Sequence, residues 1–154
     1  MNNLFEDKEI ERIKKAKILA MLERAQSEKL TGKLIILTDS NFQSEIAKHR
    51  LIVVDFWAPW CGPCQSFGPV YEEISEKYDD VVFAKVNTQE QQEIAAQFNI
   101  RSIPTLMVFR EQVILYAEAG ALPGSAFEEL ISQAKAVDMA EVHKSVAEQQ
   151  PSQA

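Results

Sequence analysis

Leu51 to Cys64, LIVVDFWAPWCGPC, is the stretch on which the fold of this chain turns. Ile52, Val53, Val54, Phe56 and Trp57 form a near-continuous apolar, β-rich run. That is the pattern of a strand covered on both faces, as in a parallel sheet packed between helices, and such strands sit at the centre of a fold. The run ends at Ala58-Pro59, and a helical pattern resumes after Cys61. Cys61 therefore falls where strand gives way to a helix N-terminus. Orphan backbone N–H groups and the positive end of the helix dipole stabilise an anion there, so its thiol is expected to ionise more readily than usual. Cys64 lies on the same helical face one turn deeper, close enough to close a small disulfide ring with Cys61. One thiol then attacks and the other resolves. Gly62 carries no side chain and lets a bulky partner approach Cys61, while Pro63 presets a helical φ where its missing N–H would be unpaired anyway. Trp60 offers a large apolar surface at the rim, as a docking surface or as simple packing.

Asp55 interrupts the apolar strand, and a buried carboxylate is costly unless protonated, paired or hydrogen-bonded. Burial is expected to raise its pKa. A carboxyl group poised beneath the cysteines could accept the proton of Cys64, directly or through water, as the second thiol turns nucleophilic. The alternative is a paired core residue without a catalytic part; its place six residues before Cys61 favours the functional reading.

The whole chain bounds these readings. Its 154 residues fit one globular domain with spare length. A net charge of −7 argues against nucleic acid or an anionic membrane surface as the main partner, since both reward clustered Lys and Arg. No apolar run approaches a membrane span, and the charged start MNNLFEDKEIERIKK lacks the apolar core of a signal peptide, so a cytoplasmic location is expected. In a reducing compartment, the only two cysteines read as catalytic or metal-binding rather than as a structural staple. A zinc site needs four ligands, and the other soft candidates, His49 and His143, lie far from the pair in sequence.

Residues 6 to about 30, rich in Glu, Lys, Arg, Ala and Leu, predict a helix stopped by Thr31-Gly32. Ile10, Ile13, Ile18, Met21, Leu22 and Ala25 fall on one broad side that Lys14 and Lys17 interrupt, which fits a solvated extension better than a partner-binding element. A strand over Leu34 to Leu37 and a helix through about His49, capped by Thr38, Asp39 or Ser40, come next. After the central strand, a helix from the cysteines to about Tyr78 contains Pro69, where a kink is expected. Strands follow at Val81 to Val86, Thr105 to Phe109 and Val113 to Glu118, with a helix at Glu90 to Phe98. A terminal helix begins after Pro123 and continues weakly past Val137 through Met139, Val142 and Val146, and the end QQPSQA is expected to fray. The order is β-α-β-α-β-α-β-β-α, an α/β class with a central mixed sheet flanked by helices and an extra N-terminal helix. The divisions are 1–32, an N-terminal helical extension; 33–137, the core domain; and 138–154, a C-terminal helical extension or tail.

The segment W-C-G-P-C after V-D-F-W-A resembles the active-site segment of the thioredoxin family, and the resemblance covers roughly residues 33 to 136. It implies the thioredoxin fold and a disulfide reductase using a Cys61-Cys64 dithiol. No bound cofactor is implied. It further implies electrons from a thioredoxin reductase, fed by NADPH or ferredoxin, with disulfide-containing proteins as substrates, and a monomeric chain is expected. It places Lys85 as the partner of Asp55, although spacing alone allows an exposed edge lysine. Pro104 reads by itself as a strand-start breaker or a cis turn; the resemblance makes it a cis-proline facing the cysteines, with the backbone of Ile103 pairing with an extended substrate segment. Gly120-Ala121 matches a rim position where small residues leave room for the partner chain, and Gly120 is equally a plain turn residue. Two positions depart from the family pattern. Gln65 stands where a lysine is expected, and Arg110-Glu111-Gln112 lacks the turn glycine, which predicts a different turn geometry there. Disulfide-forming relatives commonly carry His in the spacer, so Gly62-Pro63 favours reduction.

Overall fold

The computed structural model describes residues 10–18 and 34–149. Residues 10–18 form a helix, α1, and the remainder of the helix expected over 6–30, with its Thr31-Gly32 stop, lies outside the described residues. The core elements are β1 (Leu34–Leu37), α2 (Phe42–Lys48), β2 (Leu51–Trp57), α3 (Gly62–Lys77), β3 (Val82–Asn87), α4 (Gln92–Gln97), β4 (Thr105–Arg110), β5 (Val113–Ala119) and α5 (Gly124–Ala136), followed by α6 (Met139–Gln149). The sheet runs β1-β3-β2-β4-β5, with β1 and β2 parallel to β3 and the last two pairings antiparallel.

The apolar run of β2 places it in the middle of this sheet, buried from Leu51 to Phe56. Side chains alternate across a strand, so each register assigns one residue to each layer. Leu51 and Val53 join Phe67, Tyr71 and Ile74 of α3 and Phe127 and Ile131 of α5. Ile52, Val54 and Phe56 join Phe42 and Ile46 of α2 and Ile94 of α4. Each fully buried large side chain among them contributes about 1.5–3 kcal/mol relative to exposure. Tyr71 adds a polar tie: its hydroxyl lies 2.7 Å from the Ala84 carbonyl and 3.0 Å from that of Val53, and accepts the Ala84 N–H at 3.1 Å. It is anchored to the backbone of the two strands beneath the cysteines.

Of the expected caps of α2, Thr38 serves: its Oγ1 accepts the Asn41 N–H at 3.2 Å and the Asn41 Oδ1 accepts the Thr38 N–H at 2.6 Å, although the N-cap position itself falls on Asn41. The Asp39 carboxylate instead accepts the Ile94 N–H, at 2.9 Å, at the start of α4. Helix α3 is continuous through Pro69, whose missing N–H leaves the Gln65 carbonyl without its usual helical donor. The hairpin between β4 and β5 closes without glycine: Glu111 and Gln112 take φ of 51° and 68°. That left-handed geometry is held by the Glu111 N–H donating to the Arg50 carbonyl at 2.8 Å and by His143, 3.2 Å from the Glu111 carboxylate. α5 does not run on into α6. Val137 is extended, Asp138 accepts the Ala140 N–H at 3.1 Å, and Arg110 donates to the carbonyls of Ala134, Lys135 and Val137, so one helix is closed and another begun.

Candidate active site

Cys61 occupies the N-cap of α3, with extended backbone at φ −89° and ψ 114°. Its Sγ accepts the Cys64 N–H at 3.2 Å, one of the orphan donors that every helix N-terminus carries. The two cysteines are joined as a disulfide across a Cα–Cα distance of 5.2 Å. Gly62 and Pro63 occupy the first positions of the helix, and a Cβ at Gly62 would meet nothing within 4 Å among the described residues, which leaves the approach to Cys61 open on their side. Trp60 is 71% exposed beside it.

The other side of the pair is formed by the start of β4. The Ile103-Pro104 peptide is cis, and the Ile103 carbonyl oxygen lies 3.7 Å from the Cys61 Sγ. Gly120, at φ +110°, donates its N–H to the Pro104 carbonyl at 2.7 Å, which ties the end of β5 to the cis-proline loop. Ala121 follows, exposed. Ile103 thus packs against the disulfide, Gly120 is tied to the cis-Pro104, and Trp60 adjoins Cys61 along the chain.

Asp55, on β2 six residues before Cys61, is fully buried and in register with Lys85 of β3 and Leu106 of β4. Neither carboxylate oxygen has a hydrogen-bond partner among the described residues. Burial pushes its pKa from the ordinary 3.8 up to about 6, with the positive charge of Lys85 opposing the rise. Lys85 makes no contact ion pair with it. The ammonium instead lies 4.9 Å from the centroid of the Trp57 ring, a cation–π position. Sequence reading missed this arrangement, and also Tyr71, whose raised pKa reflects burial first and the Asp55 charge second. A Lys two residues out of phase with an aromatic on a neighbouring strand carries no signal until the register is known.

The metal reading is not favoured. The two sulfur atoms are bonded to each other, His49 pairs with Glu45 at 2.8 Å, and His143 pairs with Glu111. A helix-capping cysteine bonded to a second one a turn later is a redox couple, and this fold around it defines a thiol-disulfide oxidoreductase. Comparison with known proteins narrows the class. The family pattern described as Thioredoxin matches residues 33–133, and the chain belongs to the thioredoxin family. A Streptomyces coelicolor relative that carries a thioredoxin name is 53% identical over 114 residues, covering 74% of this chain and 85% of the relative. Thioredoxin 1 of Synechococcus elongatus is 46% identical over 89 residues, covering 56% and 83%. The solved structure of Plasmodium falciparum thioredoxin superposes with a TM-score of 0.60 at 39% identity, over 64% of this chain and 97% of that one. The protein is a protein-disulfide reductase that works through a Cys61/Cys64 dithiol-disulfide cycle.

Proposed function

We propose that Cys61 is the attacking thiol and Cys64 the resolving one. The observation that carries this is the Cys64 N–H aimed at the Cys61 sulfur at a helix N-terminus, which favours the thiolate at Cys61. The Cys61 thiolate attacks one sulfur of a substrate disulfide, that S–S bond breaks, and the first substrate sulfur leaves as a thiolate that takes up a proton. Cys64 then gives its proton to Asp55, directly or through water, and attacks the Cys61 sulfur; the mixed disulfide breaks, the second substrate sulfur leaves as a thiolate that takes up a proton, and Cys61-Cys64 is left oxidised. Two electrons pass from the dithiol to the substrate. Near pH 7 an Asp55 with a pKa of about 6 is mostly ionised and ready to accept that proton. Lys85 keeps the pKa from rising further.

The substrate lies across Trp60 and the Ile103-Pro104 loop as an extended segment, with Gly120 and Ala121 small enough to leave it room and Gly62-Pro63 as the spacer beneath. A thioredoxin reductase restores the dithiol with electrons from NADPH or ferredoxin, and the protein carries them onward to disulfide-containing proteins with no bound cofactor of its own. It acts as a cytoplasmic monomer, away from nucleic acid and membranes; among the described residues no helix is long and apolar enough to cross a bilayer. The redox unit is residues 33–137, with 1–32 and 138–154 as extensions. A coupled assay with thioredoxin reductase, NADPH and insulin tests the assignment. Wild type supports turnover, and Cys61→Ser abolishes it because no other thiol can start the exchange; retained turnover would refute it.

A further inference from the structure

We infer that Gln65 is a positioning residue for Trp60, an inference that rests on the proposed docking role of Trp60. The chain between β2 and α3 makes a turn closed by the Cys61 N–H donating to the Ala58 carbonyl at 3.2 Å, with Pro59 and Trp60 as its two central residues. A turn of this kind has one weak joint. Rotating its central peptide interconverts the two commonest turn types, and a proline at the first central position suits both. In this chain the central peptide is the one between Pro59 and Trp60, so a flip would change the backbone at Trp60 and re-aim its exposed ring.

Gln65 blocks that rotation. Its backbone N–H is spent in the first turn of α3, on the Cys61 carbonyl at 3.1 Å, which fixes where the side chain begins. Its side-chain Nε2 donates to the Pro59 carbonyl at 2.7 Å, the oxygen that would have to swing away if the peptide flipped. The same residue therefore clamps the loop at both ends, at Pro59 and at Cys61, with Trp60 held between them. The clamp touches neither sulfur. Its effect falls on how a folded protein substrate meets the Trp60 surface, and not on the exchange at Cys61.

Gln65→Met tests this, because it keeps length and helix propensity and removes only the donor. With dithiothreitol as reductant, KM for insulin rises about two- to tenfold in Gln65→Met, the loss expected for one net hydrogen bond, while kcat holds. The rate with glutathione disulfide, too small to span the Trp60 surface, is unchanged. Gln65→Lys, which restores a donor, returns KM to the wild-type value, and Gln65→Met adds nothing in a Trp60→Ala background. Wild-type KM in Gln65→Met, when Trp60→Ala alone raises it, overturns the clamp and leaves the docking role of Trp60 standing. An unchanged KM in Trp60→Ala overturns both. Equal losses with insulin and glutathione disulfide also overturn the clamp, by placing the effect of Gln65 on Cys61 reactivity.

Discussion

Asp55 and Lys85 are register partners on β2 and β3, yet the lysine acts on the carboxyl through space and not through a contact ion pair. Both carboxylate oxygens are buried without a hydrogen-bond partner among the described residues, and the ammonium lies over Trp57. A close salt bridge would stabilise the carboxylate and depress its pKa far below neutrality, leaving a poor proton acceptor. A bare buried carboxyl would hold its proton too tightly to be ionised in use. The observed arrangement lies between the two, at about 6.

Asp55→Asn is expected to slow resolution of the mixed disulfide on the order of 10²-fold while the first attack by Cys61 changes little, since only the second step needs the proton acceptor. Stopped-flow separation of the two steps checks this. Stability moves the other way. The folded pKa of about 6 stands above the ordinary 3.8. The wild-type protein therefore has its full stability below the unfolded pKa, loses it as pH rises towards the folded one, and stays at the lower level beyond, a drop of about 3 kcal/mol for a gap of roughly two pKa units. Denaturant unfolding at about pH 3 and about pH 7 should show a smaller pH-dependent loss in Asp55→Asn than in wild type by roughly that amount. Identical pH dependence in the two proteins would contradict the raised pKa.

Gly120→Ala is expected to destabilise the protein by about 1–3 kcal/mol. The added Cβ would meet nothing within 4 Å, so the cost is one of backbone conformation, at φ +110° where a side chain is strained. Urea denaturation measures it. A variant as stable as wild type would mean that the loop relaxes to another φ, and would free the Gly120 N–H from the Pro104 carbonyl.

Deletion of residues 1–32 is expected to leave unfolding free energy within about 0.5 kcal/mol and insulin reduction unchanged. All the described residues of α1 are exposed, with Ile10, Ile13 and Ile18 at 50%, 53% and 55%. Paired chemical denaturation and turnover of the truncated and full chains test this; a destabilised or inactive truncation would make the extension part of the core.

The middle of the fold was legible because β2 announces its burial on both faces residue by residue, and because a cysteine after such a strand and before a helical pattern has one place to go. Asp55 stood out for the same reason, as a charge in an apolar run. What stayed hidden depends on contacts distant in sequence. Asp39 looks like a cap for α2 but serves α4, fifty-five residues on, because the two helices share a face of the sheet. The break before α6 was also obscured, since Met139, Val142 and Val146 continue an apolar rhythm, while the Arg110 side chain that closes α5 comes from β4. The Gln65 clamp was visible only as a departure from a family lysine, with no hint that its amide reaches back to Pro59.

The most direct test of the central claim, that Cys61 attacks and Cys64 resolves, is mass spectrometry of reduced Cys64→Ser after mixing with insulin. The account predicts a covalent adduct, released by dithiothreitol and mapped to Cys61, because attack proceeds and resolution cannot. Consumption of the insulin disulfide with no adduct on Cys61, or a corresponding adduct on Cys64 in Cys61→Ser, would contradict it.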